Sequence, residues 1–179
     1  MRLTRKFFER PTLWVAENLL GKILARKWRG KEIKAVITET EAYCGFDDKA
    51  SHASRGMTPR NKIMFGEAGC AYVYLIYGMH HCLNIVTERE NYPAAVLIRA
   101  VKLGGVISEL TLINGPGKLT KALHIDKSLN GEDIITSQKL WIEDVGRAGK
   151  FKVKKGPRVG VDYAGEWAEK QWRYYIKFE

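Results

Sequence analysis

Strand-like segments divided by turn residues recur along most of this chain, and a chain so patterned has to close its core around a sheet. Ile23–Lys27 and Glu32–Tyr43 flank a Trp28-Arg29-Gly30 turn, and Ile33, Ala35 and Ile37 alternate with more polar neighbours. Ala71–Tyr77, Cys82–Thr87 and Ala94–Val101 read as three further strands, the last two joined across Glu88–Pro93. Lys139–Glu143 and Phe151–Lys154 have the length of short strands, and Arg173–Phe178 closes the pattern. Helical signals are fewer. Thr12 is placed to cap a helix with Leu13, Ala16, Leu19 and Leu20 on one face and Gly21 at its end. Asn114-Gly115-Pro116 opens a second helix over Lys118–His124, and Ala164–Trp172 is a third candidate. Strands in runs with helices at intervals predict an α+β fold, a curved and largely antiparallel sheet with flanking helices. With 179 residues and no repeat, low-complexity tract or linker, residues 1–179 are read as one domain.

Several classes of protein are disfavoured by the same residues. The longest apolar runs, such as Cys70–Ile76, fall far short of the roughly 20 residues that a membrane-spanning helix needs. The basic start MRLTRKFFERP lacks the apolar core and cleavage site of a secretory signal, so a cytoplasmic location is expected, nucleoid-associated in a prokaryote. Cys44, Cys70 and Cys82 are odd in number and show no C-x-x-C spacing, which supports neither a disulfide framework nor a zinc site. The formal net charge of +10 favours an anionic partner such as nucleic acid.

The polar segment 44–62 reads as a long loop, and loops of that length in compact domains are usually functional. Extending the alternation of Ile33, Ala35 and Ile37 puts Glu39 and Glu41 on the same inward side of their strand. A buried carboxylate there needs partners or a task, such as general-base work; alternatively, a bulge or the strand's end turns both to solvent. Tyr43, His52, Tyr72, Tyr74 and Tyr77 concentrate rings on the flanking segments, as a pocket for an extruded base would, although tyrosines in strands are also ordinary core residues. The stretch RAGKFKVKKGPR at 147–158 holds six basic residues and no acidic one, and the loop adds Arg55, Arg60 and Lys62. These are candidates to track phosphates, with a solvated basic face as the competing explanation.

The run ETEAYCGFDDKASHASRGMTPRNKIMF at 39–65, followed by AYVYLIYGMHHCLNIV at 71–86, VLIRA at 96–100 and NGPGKLTKAL at 114–123, resembles the alkyladenine (3-methyladenine) DNA glycosylase family. The likeness begins with PTLWVAENLLGKIL at 11–24 and reaches GPRVGVDYAGEWAEKQWRYY at 156–175. It implies an enzyme that flips alkylated or deaminated purines out of duplex DNA. In that family water, not a lysine, attacks the N-glycosidic bond, so an abasic site without strand cleavage is the implied product. The substrate class would include 3-methyladenine, 7-methylguanine, hypoxanthine and ethenoadenine. By position, Glu41 matches the general base and Arg99 the arginine that helps hold the water. Tyr43, His52 and Tyr74 match residues that receive the flipped base, Asn84 one that rejects undamaged guanine, and Tyr77 the side chain inserted into the duplex. Arg55, Thr58, Arg60, Lys118, Lys154 and Arg158 are the DNA-backbone candidates. The resemblance implies no cofactor and no metal, with damaged double-stranded DNA as partner of a monomer. The chain departs from the family between Val101 and Asn114, where KLGGVISELTLI replaces a longer insert, and it lacks the extended N-terminal region of larger relatives. A non-catalytic nucleic-acid-binding module of the same fold is the alternative; the combination of Glu41 with Arg99 discriminates against it.

Overall fold

The computed structural model describes residues 1–104, 111–146 and 151–177. Arg147 and Lys150 of the basic stretch, positions 105–110 of the shortened segment and Phe178 lie outside the described residues. Two short helices, α1 (Arg5–Phe8) and α2 (Thr12–Asn18), precede the hairpin of β1 (Ile23–Trp28) and β2 (Lys31–Cys44). Its two-residue turn places Arg29 at φ 48° and Gly30 at φ 78°, the left-handed pair that matches strand twist in a tight hairpin. The long loop then leads to β3 (Ala71–Ile76), β4 (His80–Val86), β5 (Ala94–Leu103), β6 (Thr111–Asn114), α3 (Pro116–Ala122), β7 (Leu140–Glu143), β8 (Lys152–Gly156) and β9 (Arg173–Lys177). Among the described residues every strand pair is antiparallel, with β3-β4-β5-β2-β1-β7 forming the main path, β6 on β5, and β8-β9 joined to β2. The fold is α+β with a curled sheet, as the strand pattern predicts.

Four expectations need correction. Thr12 is the first residue of α2 and does not cap it; Pro11 occupies the cap position without a side-chain bond. Glu88 does the work instead, its Oε1 accepting from the Thr12 backbone N–H at 3.0 Å and from the Thr12 hydroxyl. An acidic oxygen from a distant loop thereby satisfies a free amide at the positive end of the helix. The helix expected over Ala164–Trp172 is a pair of 3₁₀ turns over Asp162–Glu169, broken where Gly165 adopts φ 60° and ψ −132°, outside any helical region. Trp172 lies beyond it. α3 begins at Pro116 rather than Lys118, since the ring fixes φ for the first helical turn. Sequence reading also misses α1 and β6, which are only four residues each.

The fourth correction positions the site. Ala35 and Ile37 of β2 face the main core, and simple alternation would send Glu39 and Glu41 the same way. Between Ile37 and Thr40 the β2–β5 register breaks, with Glu39 paired to Ala100 while Ile37↔Val101 and Thr40↔Ile98 flank it. Both strands change the parity of their core-facing positions there. Val101 gives way to Ile98 and Val96, and Ile37 to Ala42 and Thr40, whose hydroxyl donates to the Ala16 carbonyl of α2 at 2.7 Å. Glu41 and Tyr43 of β2, with Leu97 and Arg99 of β5, consequently line a cavity on the opposite face. An irregularity that adds a residue to each strand inverts the alternation beyond it.

Candidate active site

A cavity of about 570 Å³ opens on that second face. Its floor comes from β2 and β5, one wall from Tyr72, Tyr74, Cys82 and Asn84 of β3 and β4, another from Ser51, His52 and Arg60 of the long loop. Val159, Gly160, Val161 and Tyr163 of the C-terminal segment close the remaining side. Arg99, Asn84, Tyr43, Tyr74 and His52, named from sequence, all meet here with Glu41.

Glu41 is fully buried, with 0% exposure. Tyr43 OH donates to its Oε2 at 2.9 Å and the Val159 backbone N–H donates to its Oε1 at 2.9 Å. Each oxygen therefore has one fixed donor and keeps capacity for another, such as a water. Arg99 approaches through Nε, 3.6 Å from Glu41 Oε1 and 3.0 Å from Glu39 Oε1. Neither approach is aligned as a hydrogen bond, for Nε is buried without a hydrogen-bond partner. Burial pushes the Glu41 carboxyl above its ordinary range; Arg99, the Val159 N–H and Tyr43 pull it back, and Glu39 adds to the rise. The result is a buried carboxylate, its pKa raised, that lines a cavity large enough for a substrate group.

The closest ring cluster of the lining comes from β3 and the long loop. Tyr72 and Tyr74 stand with ring centroids 5.1 Å apart, and the His52 ring meets Tyr74 edge-on at 4.6 Å. His52 Nδ1 lies 3.1 Å from Tyr72 OH. Partial desolvation at the cavity wall and the nearby Arg60 charge push the imidazole below its ordinary pKa, which favours its neutral form. Asn84 is buried, its Nδ2 donating to the Tyr72 carbonyl at 3.3 Å.

Tyr77 occupies the β3–β4 turn at the cavity mouth, 89% exposed and at φ 50°, with Gly78 at φ 68° beside it. A left-handed tyrosine is strained, and such strain persists where the surroundings impose it. Leu75 and Met79 are also exposed at this tip. Arg55, Thr58 and Arg60 are exposed on the long loop, Lys118 on α3 and Lys154 on β8. Arg60 also stands over the Tyr74 ring at 5.3 Å and donates to the Leu75 carbonyl at 3.0 Å.

Arg158 departs from the expectation that it contacts the DNA backbone. Its side chain has 0% exposure and forms a two-pronged ion pair with the equally buried Asp48, at 2.6 and 2.9 Å. It also donates to the Ala42 and Trp167 carbonyls and lies between the Tyr43 and Trp172 rings, 4.8 and 5.0 Å from their centroids. A guanidinium so enclosed cannot reach a phosphate; it fastens the long loop and the C-terminal segment to β2. Sequence reasoning missed Asp48, the Val159 amide, Tyr163 and the link from Arg173 Nη1 to Glu39 Oε1 at 3.1 Å. A backbone donor has no side-chain signature, and the Asp48–Arg158 partners stand 110 residues apart.

Among the described residues no cluster of three or more His, Cys, Asp or Glu side chains could hold a metal ion, and no helix is long and apolar enough to cross a membrane. The family model for methylpurine-DNA glycosylase (MPG) matches residues 6–179. The chain is 52% identical to a protein of Methanocella arvoryzae, covering 98% of this chain and 92% of the relative. It is 47% identical to one of Legionella pneumophila (strain Corby), covering 98% and 94%, and 40% identical to one of Natranaerobius thermophilus, covering 99% and 96%. All three relatives carry the name "Putative 3-methyladenine DNA glycosylase".

Proposed function

The chain belongs to the methylpurine-DNA glycosylase family, and from that premise we propose that it hydrolyses the N-glycosidic bond of damaged purines flipped out of duplex DNA, with Glu41 as general base. The observation that carries this reading is a fully buried carboxylate beside Arg99, at the floor of a cavity walled by tyrosines and a histidine.

A base inside the stack shields its glycosidic bond, so it must be extruded at a cost on the order of a few kcal/mol. Tyr77 fills the vacated space. Tyr43, His52 and Tyr74 receive the base by stacking, worth roughly 1–3 kcal/mol per base and more for a purine made cationic by alkylation. Asn84 discriminates against undamaged guanine by leaving its 2-amino group without room or a matched partner. As the C1′–N bond breaks, positive charge develops on the deoxyribose, where the Glu41 carboxylate stabilises it. Glu41 then takes a proton from a water held with Arg99; the water oxygen bonds to C1′, and the bonding electrons leave with the base. A 3- or 7-alkylated purine departs without a strong general acid. No lysine imine forms in this sequence, so the product is an intact strand with an abasic site.

Duplexes carrying 3-methyladenine, 7-methylguanine, hypoxanthine or ethenoadenine, incubated with the protein and then treated with alkali, test the reading. Breaks that require alkali are expected for at least the alkylated bases. Base retention in every duplex refutes the proposal, and breaks before alkali refute the water mechanism.

Exposure of Tyr77 separates its DNA role from any structural one. Tyr77→Ala should leave the unfolding midpoint nearly unchanged, because little burial is lost. It should weaken the flipped state by about 1–3 kcal/mol, the scale of base–aromatic stacking. Ethenoadenine fluorescence at saturating protein reads this as a smaller flipped fraction. An unchanged amplitude, or a large fall in melting temperature, returns Tyr77 to an ordinary turn residue.

A further inference from the structure

Glu41 does not meet Arg99 alone. The guanidinium approaches two carboxylates through the same nitrogen, and the nearer oxygen belongs to Glu39, at 3.0 Å against 3.6 Å for Glu41. Glu39 is itself held by Arg173, whose Nη1 lies 3.1 Å from Oε1 while its Nε donates to the Pro157 carbonyl at 2.8 Å. Two residues beyond Pro157, the Val159 amide donates to Glu41. Glu39, Arg173, Pro157, Val159, Glu41 and Arg99 therefore close a ring in which both non-tyrosine partners of Glu41 are tethered through Glu39. We infer that Glu39 is a positioning residue that draws Arg99 toward itself, so that Arg99 stays near enough to steady a water and never forms a committed ion pair with Glu41.

The charge balance agrees. Around Glu41 stand Glu39 and Tyr43 from β2, Arg99 from β5, Cys82 from β4 and the Val159 amide from the C-terminal segment; Arg158 lies behind Tyr43, and Arg173 of β9 faces Glu39. A direct Arg99–Glu41 pair would depress the carboxylate by the attraction of an opposite charge within hydrogen-bond distance and reduce its basicity. Removing Glu39 releases Arg99 toward Glu41 and deletes a neighbouring negative charge. Both changes act in the same direction, toward a more acidic and less reactive Glu41.

The inference rests on Glu41 being the general base, and single-turnover excision measured from acid to neutral pH tests the two separately. For wild type the acid limb should have its midpoint above the ordinary carboxylate range and vanish with Glu41→Gln. In Glu39→Gln the midpoint should fall by about one pH unit or more. The plateau rate should drop roughly 3- to 10-fold, as expected when a base becomes weaker. Glu39→Asp, which keeps the charge but withdraws it by one methylene, should give a midpoint between the two and serves also if the amide variant does not fold. A merely structural Glu39 would lower the rate at every pH without moving the limb. A limb that stays at the wild-type pH in both variants, while still depending on Glu41, overturns the positioning role and leaves the base assignment standing. Excision that survives Glu41→Gln overturns both.

Discussion

Glu41→Gln is expected to keep the fold and the affinity for DNA while reducing base excision by at least about 100-fold, the lower range for loss of a positioned general base. The amide preserves shape, and its oxygen can still accept from the Val159 N–H, but it has no basic oxygen to take a proton from water and no charge to offset that developing on the sugar. Stability should move the other way. Burial raises the Glu41 pKa above its ordinary value of 4.5, so the folded state is penalised for carrying the ionised form. That penalty is complete above the folded pKa and fades as the pH falls through it toward the unfolded value. The variant should accordingly unfold at a higher temperature than wild type near pH 8, with the difference shrinking toward pH 4.5. Activity lost with stability gained is the signature of a functional carboxylate held against its preference for water. A purified variant with a near-native excision rate removes Glu41 from the mechanism; an unfolding midpoint below wild type at pH 8 contradicts the burial penalty.

The second large effect belongs to the Asp48–Arg158 pair. Arg158→Met should destabilise the protein by about 3–5 kcal/mol, the usual consequence of leaving one member of a buried ion pair unmatched. Asp48 would retain the Cys44 and Ala50 amides at 3.1 Å each, but these do not neutralise a charge with 0% exposure. Two tethers fail together, since Arg158 also holds the Ala42 and Trp167 carbonyls. Adding Asp48→Asn to Arg158→Met should recover part of the loss by removing the stranded charge. Denaturant unfolding measures both variants. A single mutant within about 1 kcal/mol of wild type would mean that the pair is not sealed from water, since breaking sealed pairs costs several times that.

Local chemistry determines much of this molecule. The Arg29-Gly30 hairpin, the strands of 71–76, 80–86 and 94–103 and the proline that starts α3 follow from neighbours in sequence, where period-2 alternation and turn residues act over a few positions. The same holds for the long loop after Cys44 and the exposed tyrosine beside Gly78. The motifs around Glu41, Tyr74 and Arg99 likewise place the candidate groups in order along the chain. Which face those groups occupy is another matter. Alternation sends Glu41 into the core with Ile37, and only the pairing of β2 with β5, which breaks register at Glu39 and Ala100, turns it into the cavity. Glu88 reaches Thr12, Arg173 reaches Glu39 and Arg158 reaches Asp48 across 76, 134 and 110 residues. No propensity or period relates such positions, because their proximity exists only after the sheet has curled. The chemistry available to this chain is thus written in its residue types, whereas the basicity of Glu41 and the burial of Arg158 are decided by packing, since exclusion of water is a property of the assembled fold.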